Sequence, residues 1–291
     1  MLLLEGKSVS KALRAKVKEE IATLSSAVKR VPGLAVILVG EDPASQVYVR
    51  NKEKACEEVG ITSYSYRLPH DIGQENLIKL IRELNADDRV DGILLQLPLP
   101  EGLNTQACLQ AIDPRKDVDG LHPENQGRLA LGLKALRPCT PAGTLFLLDY
   151  YKYDLEGKNC VVLGRSHLVG RPLAMMLNDK TMNATVTMCH SKTRNLKEIC
   201  RQADFIFLAI GRPRFLTPDM VKEDAVIIDI GINRTEDGLC GDADFKALEG
   251  KVAAMTPVPG GIGLMTISQL LENTMQAWKY AMGLIRLEDL A

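Results

Sequence analysis

The feature that most constrains this chain is an alternation, over nearly its whole length, of short β-rich apolar runs with helical patterns. Two parallel strands need a crossover long enough to hold a helix, so this rhythm marks parallel βαβ construction rather than a sandwich or a bundle. Strands are predicted at 34–39, 62–68 and 92–97, with helices near 9–28, 44–59 and 75–84. The rhythm resumes with strands at 160–163, 184–189, 205–210, 225–230 and 252–255. Between the two groups, Arg137-Pro138-Cys139-Thr140-Pro141 brackets a polar pair with prolines before a helical run at 142–151, and reads as a seam. A length of 291 residues suits two domains. The expected fold is therefore α/β, with two domains of parallel-sheet βαβ construction, the second Rossmann-like, and an active-site cleft between them. A last helix is predicted to start at Thr266-Ile267-Ser268-Gln269, which has capping-box form, and to stop at Gly283. Ile267, Leu270, Leu271, Met275 and Trp278 give it one apolar stripe.

Composition narrows the function. With 36 Lys+Arg against 37 Asp+Glu, aromatics at 4% and no basic cluster interleaved with aromatics, nucleic acid is not an expected partner. The apolar Met1-Leu2-Leu3-Leu4 is cut off by Glu5 and Lys7, short of a signal core, and no run reaches about 18 uncharged apolar residues. A cytoplasmic protein without a membrane partner is expected. The seven cysteines are odd in number and widely spaced, with no C-x-x-C pair and only four histidines in the chain. They read as reduced, mostly buried thiols, and no metal site is expected.

Three constellations carry chemistry. In the first, Asp42 is a candidate N-cap and Pro43 the first residue of a helix that places Ser45, Lys52, Ala55 and Val59 on the face of Tyr48. Arg50, Glu53, Lys54 and Glu57 fall on the opposite side. A lone lysine there commonly snorkels to water. A Ser, a Tyr and a Lys on one face beside the carboxyl end of a strand point instead to a ligand site, where a partly apolar setting disfavours the ammonium and yields a base. In the second, Gln96 ends a buried strand before Leu97-Pro98-Leu99-Pro100, and a charged loop runs from Asp113 to Gly120. The plain reading of that loop is an Asx turn closed by Gly120; the alternative is that one of Asp117 and Asp119 turns inward. In the third, Asn159 to Gly170 reads strand, glycine turn, helix, although Ser166 replaces the second glycine of G-x-G-x-x-G and Gly170 comes one residue late. The next strand ends Cys189-His190-Ser191-Lys192, with no acidic residue for a ribose 2′-hydroxyl. Arg165, Ser191 and Lys192 could bind a 2′-phosphate, which favours NADP over NAD. Near the end, Pro257-Val258-Pro259-Gly260-Gly261-Ile262-Gly263 forms a turn able to approach a flat ligand closely, or a hinge.

Together these residues resemble the bifunctional methylenetetrahydrofolate dehydrogenase/methenyltetrahydrofolate cyclohydrolases. Val39-Gly40-Glu41-Asp42-Pro43-Ala44-Ser45, continuing to Tyr48-Val49, Lys52 and Lys54-Ala55, is similar to the family's first signature, and Pro259-Gly260-Gly261-Ile262-Gly263 with Met265-Thr266 to its second. Gln96 to Pro100, Lys116 to Gly120, Pro138 to Pro141 and Gly164-Arg165-Ser166 resemble intermediate blocks. The resemblance implies a folate-binding catalytic domain of residues 1–139 plus 267–291 and a Rossmann-like NADP-binding domain of residues 140–266. It implies Lys52 as the catalytic lysine, Tyr48 stacking on the folate, Gln96 tuning the lysine and Asp119 binding the pterin. Ser45, Pro259 and Gly260 join the substrate set. Gly164, Arg165, Ser166, Ser191 and Ile232 would hold NADP, with Thr266 bordering the nicotinamide. It further implies tetrahydrofolate derivatives as partners, a homodimer, and a place in one-carbon metabolism and purine biosynthesis. Leu264 departs from the pattern, standing where the second signature usually has proline, which bears on the rigidity of that turn. Two other readings share part of the pattern: a dehydrogenase of an amino acid or shikimate-like substrate, which does not need Tyr48 and Lys52 on one helix face, and a catalytically silent nucleotide-binding protein.

Overall fold

A computed structural model describes residues 1–290, and the chain divides into two compact units. The first unit comprises Ala12–Cys139 and Ile267–Ala291, the second Met1–Lys11 and Thr140–Thr266.

The chain opens with β1 (Leu2–Leu3) and α1 (Gly6–Val28), the latter starting in the second unit and continuing in the first. Three parallel strands then form the sheet of the first unit: β2 (Gly33–Val39), followed by α2 (Pro43–Val59); β3 (Thr62–Leu68), followed by α3 (Gln74–Ala86); and β4 (Gly92–Leu95). The order is β3-β2-β4. The central strand, Gly-Leu-Ala-Val-Ile-Leu-Val, is buried throughout, as a parallel strand covered on both faces requires. Its start is fixed by Asp91, whose carboxylate takes both Nη atoms of Arg30 at 2.7 Å and the Gly33 N–H at 2.8 Å. Short helices α4 (Thr105–Ala111) and α5 (Pro123–Ala130) follow β4.

In the second unit α6 (Cys139–Tyr150) leads into β5 (Asn159–Leu163), α7 (Gly170–Asn178), β6 (Thr185–Cys189), α8 (Leu196–Arg201), β7 (Phe205–Leu208) and β8 (Val226–Asp229). A hairpin of β9 (Asn233–Thr235) and β10 (Gly238–Cys240), then α9 (Phe245–Leu248) and β11 (Ala254–Met255), complete it. The six-stranded sheet has the order β1-β11-β8-β7-β5-β6 and every pairing is parallel. The chain goes from β5 outward to β6 and returns to β7 on the other side of β5, so the order reverses there. In open α/β sheets ligands bind outside the carboxyl ends of strands at such a reversal.

Two expectations are corrected. Residues 1–11 belong to the second unit rather than to the folate-side domain of 1–139. The cause is edge pairing: β1 extends the large sheet through Leu2 N–H to Ala253 O at 2.7 Å and Leu4 N–H to Met255 O at 2.9 Å, and Gly6 N–H reaches Gly260 O at 2.8 Å. The last helix, α10 (Ile262–Ala281), starts four residues before the predicted capping box. Gly260, at φ +108°, turns the chain directly into the helix, so Thr266 is an interior residue whose hydroxyl meets Ile262 O and Thr140 Oγ1. Leu264 therefore lies in the first helical turn, where its N–H reaches Gly261 O at 3.3 Å. Proline is tolerated in a first turn but not required there, so the leucine preserves the helix.

From Ile267 onward α10 belongs to the first unit, with Leu270, Leu271, Met275 and Trp278 buried, each side chain contributing roughly 1.5–3 kcal/mol. Lys279 pairs with Glu20 of α1, and Arg14 Nε donates to Ser268 Oγ at 3.1 Å. Gly283, at φ +68°, marks the stop as expected. Among the described residues no helix is long and apolar enough to cross a membrane.

Candidate active site

In the first unit the site is built on α2 and the end of β4. Asp42 caps α2 by accepting the Ser45 N–H at 2.7 Å, and Pro43 is the first helical residue, as read from the sequence. Ser45, Ala55 and Val59 are buried and Lys52 is half-buried, while Arg50, Lys54 and Glu57 are exposed as expected; Glu53, expected among them, is half-buried and pairs with Arg67 at 3.5 Å. Tyr48, one turn before Lys52, leaves 41% of its surface open. Lys52 Nζ donates to Gln96 Oε1 at 3.0 Å. Gln96 in turn donates its Nε2 to Leu97 O at 2.7 Å, and its backbone N–H continues the sheet to Ile37 O. With its amide nitrogen spent on the backbone, Gln96 must present its oxygen to the lysine, so the pair has one orientation.

Of the two candidate aspartates, the inward one is Asp117. It is 1% exposed and accepts Leu121 N–H at 3.1 Å, His122 N–H at 2.8 Å and Asn125 Nδ2 at 2.8 Å. Burial pushes its carboxyl up to about 7 against the pull of those donors. Asp117 holds the loop, closed by Gly120 N–H to Asp117 O at 3.0 Å, and Asp119 remains half-buried on it. Beside Asp119 lies Cys139, read from sequence only as a buried thiol. Burial first, and then the Asp119 carboxylate, raise this thiol well above its ordinary value, while Lys52 pulls it the other way. Lys52, Asp119 and Cys139 thus share one electrostatic neighbourhood. Cys139 donates to Val118 O at 3.2 Å, and Asn273 Nδ2 of α10 ties Val118 O and Arg137 O at 2.8 Å each. Cys139 and Asn273 have no local sequence signature for this role.

In the second unit, Gly164, Arg165 and Ser191 line a cavity of about 280 Å³ at the carboxyl ends of β5, β6 and β7, together with Ile210, Arg212 and Phe215. Gly164 sits at φ +117°, and a Cβ there would strike Ala209 O. Glycine is therefore required for the turn to pack against the chain leaving β7. The late Gly170 packs against the Gly164 carbonyl, the close helix-to-turn contact made by the third glycine of the usual pattern. Ser166, in the second-glycine position, accepts Val169 N–H at 3.1 Å and Gly170 N–H at 3.4 Å, leading into α7. Ser166 and Lys192 do not line the cavity. Ile232 is exposed and lies next to Gly263 rather than in the cavity. Pro259, Gly260 and Thr266 also belong to this second unit.

A parallel sheet with a glycine turn and a cavity at its strand reversal defines a nucleotide-binding α/β protein, and the other unit carries a lysine held in one orientation by a glutamine. The chain belongs to the tetrahydrofolate dehydrogenase/cyclohydrolase family: residues 4–119 match the family's catalytic domain and residues 138–282 its NAD(P)-binding domain. It is 60% identical, over 96% of its length and 99% of the relative's, to the bifunctional protein FolD of Desulfovibrio desulfuricans. Among solved structures it is similar to the bifunctional FolD enzyme of Campylobacter jejuni, at 49% identity and TM-score 0.93, covering 96% of this chain and 99% of that one. It is also similar to the Trypanosoma brucei methylenetetrahydrofolate dehydrogenase-cyclohydrolase complexed with NADP and an inhibitor, at 36% identity and TM-score 0.91, covering 96% and 97%.

Proposed function

We infer that this chain oxidises 5,10-methylenetetrahydrofolate to 5,10-methenyltetrahydrofolate with NADP and hydrolyses the methenyl product to 10-formyltetrahydrofolate. The observation that carries this reading is the oriented Lys52–Gln96 pair in a chain of this family. The second unit's residues fit NADP: Gly164, Arg165 and Ser191 line the cavity, Arg165 and Ser191 offer donors for a 2′-phosphate, and Cys189-His190-Ser191-Lys192 brings no carboxylate to oppose it. When bound, NADP accepts the hydride.

Loss of hydride leaves a cation shared by two nitrogens and needs no protein base, so the folate-side residues act there by positioning. The open ring of Tyr48 orients the folate, and Asp119 accepts a pair of pterin donors. Hydrolysis differs, because water must be activated. Lys52 takes the proton from the water whose oxygen bonds to the methenyl carbon, while Gln96 Oε1 keeps Nζ aimed; the bond from that carbon to N5 then breaks and N5 leaves as the ring amine. Cys139, held protonated by burial and by Asp119, serves as a hydrogen-bond donor and not as a nucleophile. Ser45, Pro259 and Gly260 complete the substrate set; Ser166, Ile232 and Thr266 complete the cofactor set. Family resemblance supports placing the enzyme in the cytoplasm, as a homodimer, in the one-carbon supply that feeds purine synthesis. Mixing the protein with methylenetetrahydrofolate and NADP⁺ should produce NADPH and a methenyl absorbance that then decays. Absence of NADPH would refute the first step, and a methenyl absorbance that decays no faster than without protein would refute the second.

A further inference from the structure

We propose that Asp242 is a positioning residue for the dinucleotide, its buried carboxylate holding the loop after β7 in the shape the cofactor cavity requires. The proposal rests on the reading that the cavity at Gly164, Arg165 and Ser191 takes NADP.

Asp242 is 0% exposed. Its Oδ2 accepts the N–H groups of Ile210 at 2.7 Å and Gly211 at 3.1 Å; its Oδ1 accepts Arg212 N–H at 2.8 Å and Asn233 Nδ2 at 2.9 Å. Three consecutive backbone N–H groups converging on one anion form a nest, a concavity that in many proteins captures phosphate. Here the chain's own carboxylate fills it. The nest is therefore a structural brace, and the residues it braces, Ile210 and Arg212, line the cavity. Gly211 supplies the necessary left-handed backbone, at φ +62°.

The brace is anchored to the sheet. Asp229, the last residue of β8, accepts Asp242 N–H at 3.0 Å and Ala243 N–H at 2.7 Å, fixing the backbone that carries the Asp242 side chain. The far end of the loop returns to the same segment, with Arg214 N–H on Gly241 O at 3.1 Å and Leu216 N–H on Asp242 O at 3.0 Å. Through Asn233, the same carboxylate also holds the segment beside Ile232, another residue of the proposed cofactor set. One buried side chain thus sets the course of two segments assigned to NADP, without touching the ligand.

The test is Asp242→Asn, which turns one acceptor atom into a donor facing N–H groups. Leaving buried donors unmatched should raise the KM for NADP roughly tenfold or more. Hydrolysis of methenyltetrahydrofolate without NADP, whose proposed proton acceptor Lys52 lies in the first unit, should stay within about twofold of wild type. A proportionate fall in both activities would reveal a general folding role and overturn the proposal. If the variant does not fold, Gly211→Ala decides: a Cβ there meets nothing within 4 Å but is strained at that φ, so the same selective rise in KM supports the proposal and an unchanged KM overturns it. Arg165→Ala is measured alongside. A raised KM in Arg165→Ala with none in the loop variants overturns the role of Asp242 alone, whereas no change in any of them overturns the cavity reading as well.

Discussion

In the unit of Lys52 the candidate site is a set of side chains fixed on one helix and one strand end, whereas in the unit of Gly164 it is a set of backbone turns gathered at three strand ends. The difference follows from the task. A proton acceptor is one atom that must be aimed, so it rides on a rigid element and is held by a second side chain. A dinucleotide is contacted along its length, so its site needs backbone that can be approached closely and loops that keep their course. Buried carboxylates serve both units as loop holders: Asp117 gathers two backbone N–H groups and Asn125, and Asp242 gathers three N–H groups and Asn233.

This contrast can be broken by substitution. The largest effect is expected from Lys52→Met, which should slow methenyltetrahydrofolate hydrolysis by at least about 100-fold, read from the decay of methenyl absorbance. Arg165→Ala removes a charged donor from the cofactor cavity and should raise the KM for NADP roughly tenfold or more while that for NAD moves little. Equal effects on both would sink the 2′-phosphate assignment. Gln96→Leu leaves the lysine present but unaimed, so hydrolysis should fall by roughly tenfold, less than in Lys52→Met. Full activity in that variant would remove Gln96 from the site.

A further effect falls on stability rather than on activity, and concerns pH. The folded Asp117 carboxyl, pushed up by burial from 3.8 to about 7, favours the protonated form, so its stabilising contribution is fully present below about pH 4 and is lost as pH rises through about 7. That rise corresponds to at most roughly 4 kcal/mol. Between pH 4 and 7, Asp117→Asn should lose less Tm with rising pH than wild type does. Parallel Tm curves would contradict the assignment.

What could be read from the sequence was what local periodicity encodes. The phase of α2 put Lys52 on the face of Tyr48 and Ser45, and the alternation of runs gave the parallel strands and the glycine turn in its proper setting. The partnership of Lys52 with Gln96 spans 44 residues and leaves no spacing signal, so it rested on family resemblance. Cys139, Asn273, Asp229 and Asp242 were illegible for the same reason: each acts on segments brought to it by chain crossings. The two-residue β1 is too short to show a period, and Thr266-Ile267-Ser268-Gln269 imitated a helix start because the true start depends on the turn at Gly260.

The central claim is that proton handling and cofactor binding are separable because they reside on different units. Hydrolysis rate and NADP dissociation constant, measured together on Lys52→Met and Arg165→Ala, test it most directly. The account predicts a crossed pattern: Lys52→Met loses hydrolysis and binds NADP within about twofold of wild type, and Arg165→Ala keeps hydrolysis and binds NADP at least about tenfold more weakly. Loss of both functions in both variants would contradict it.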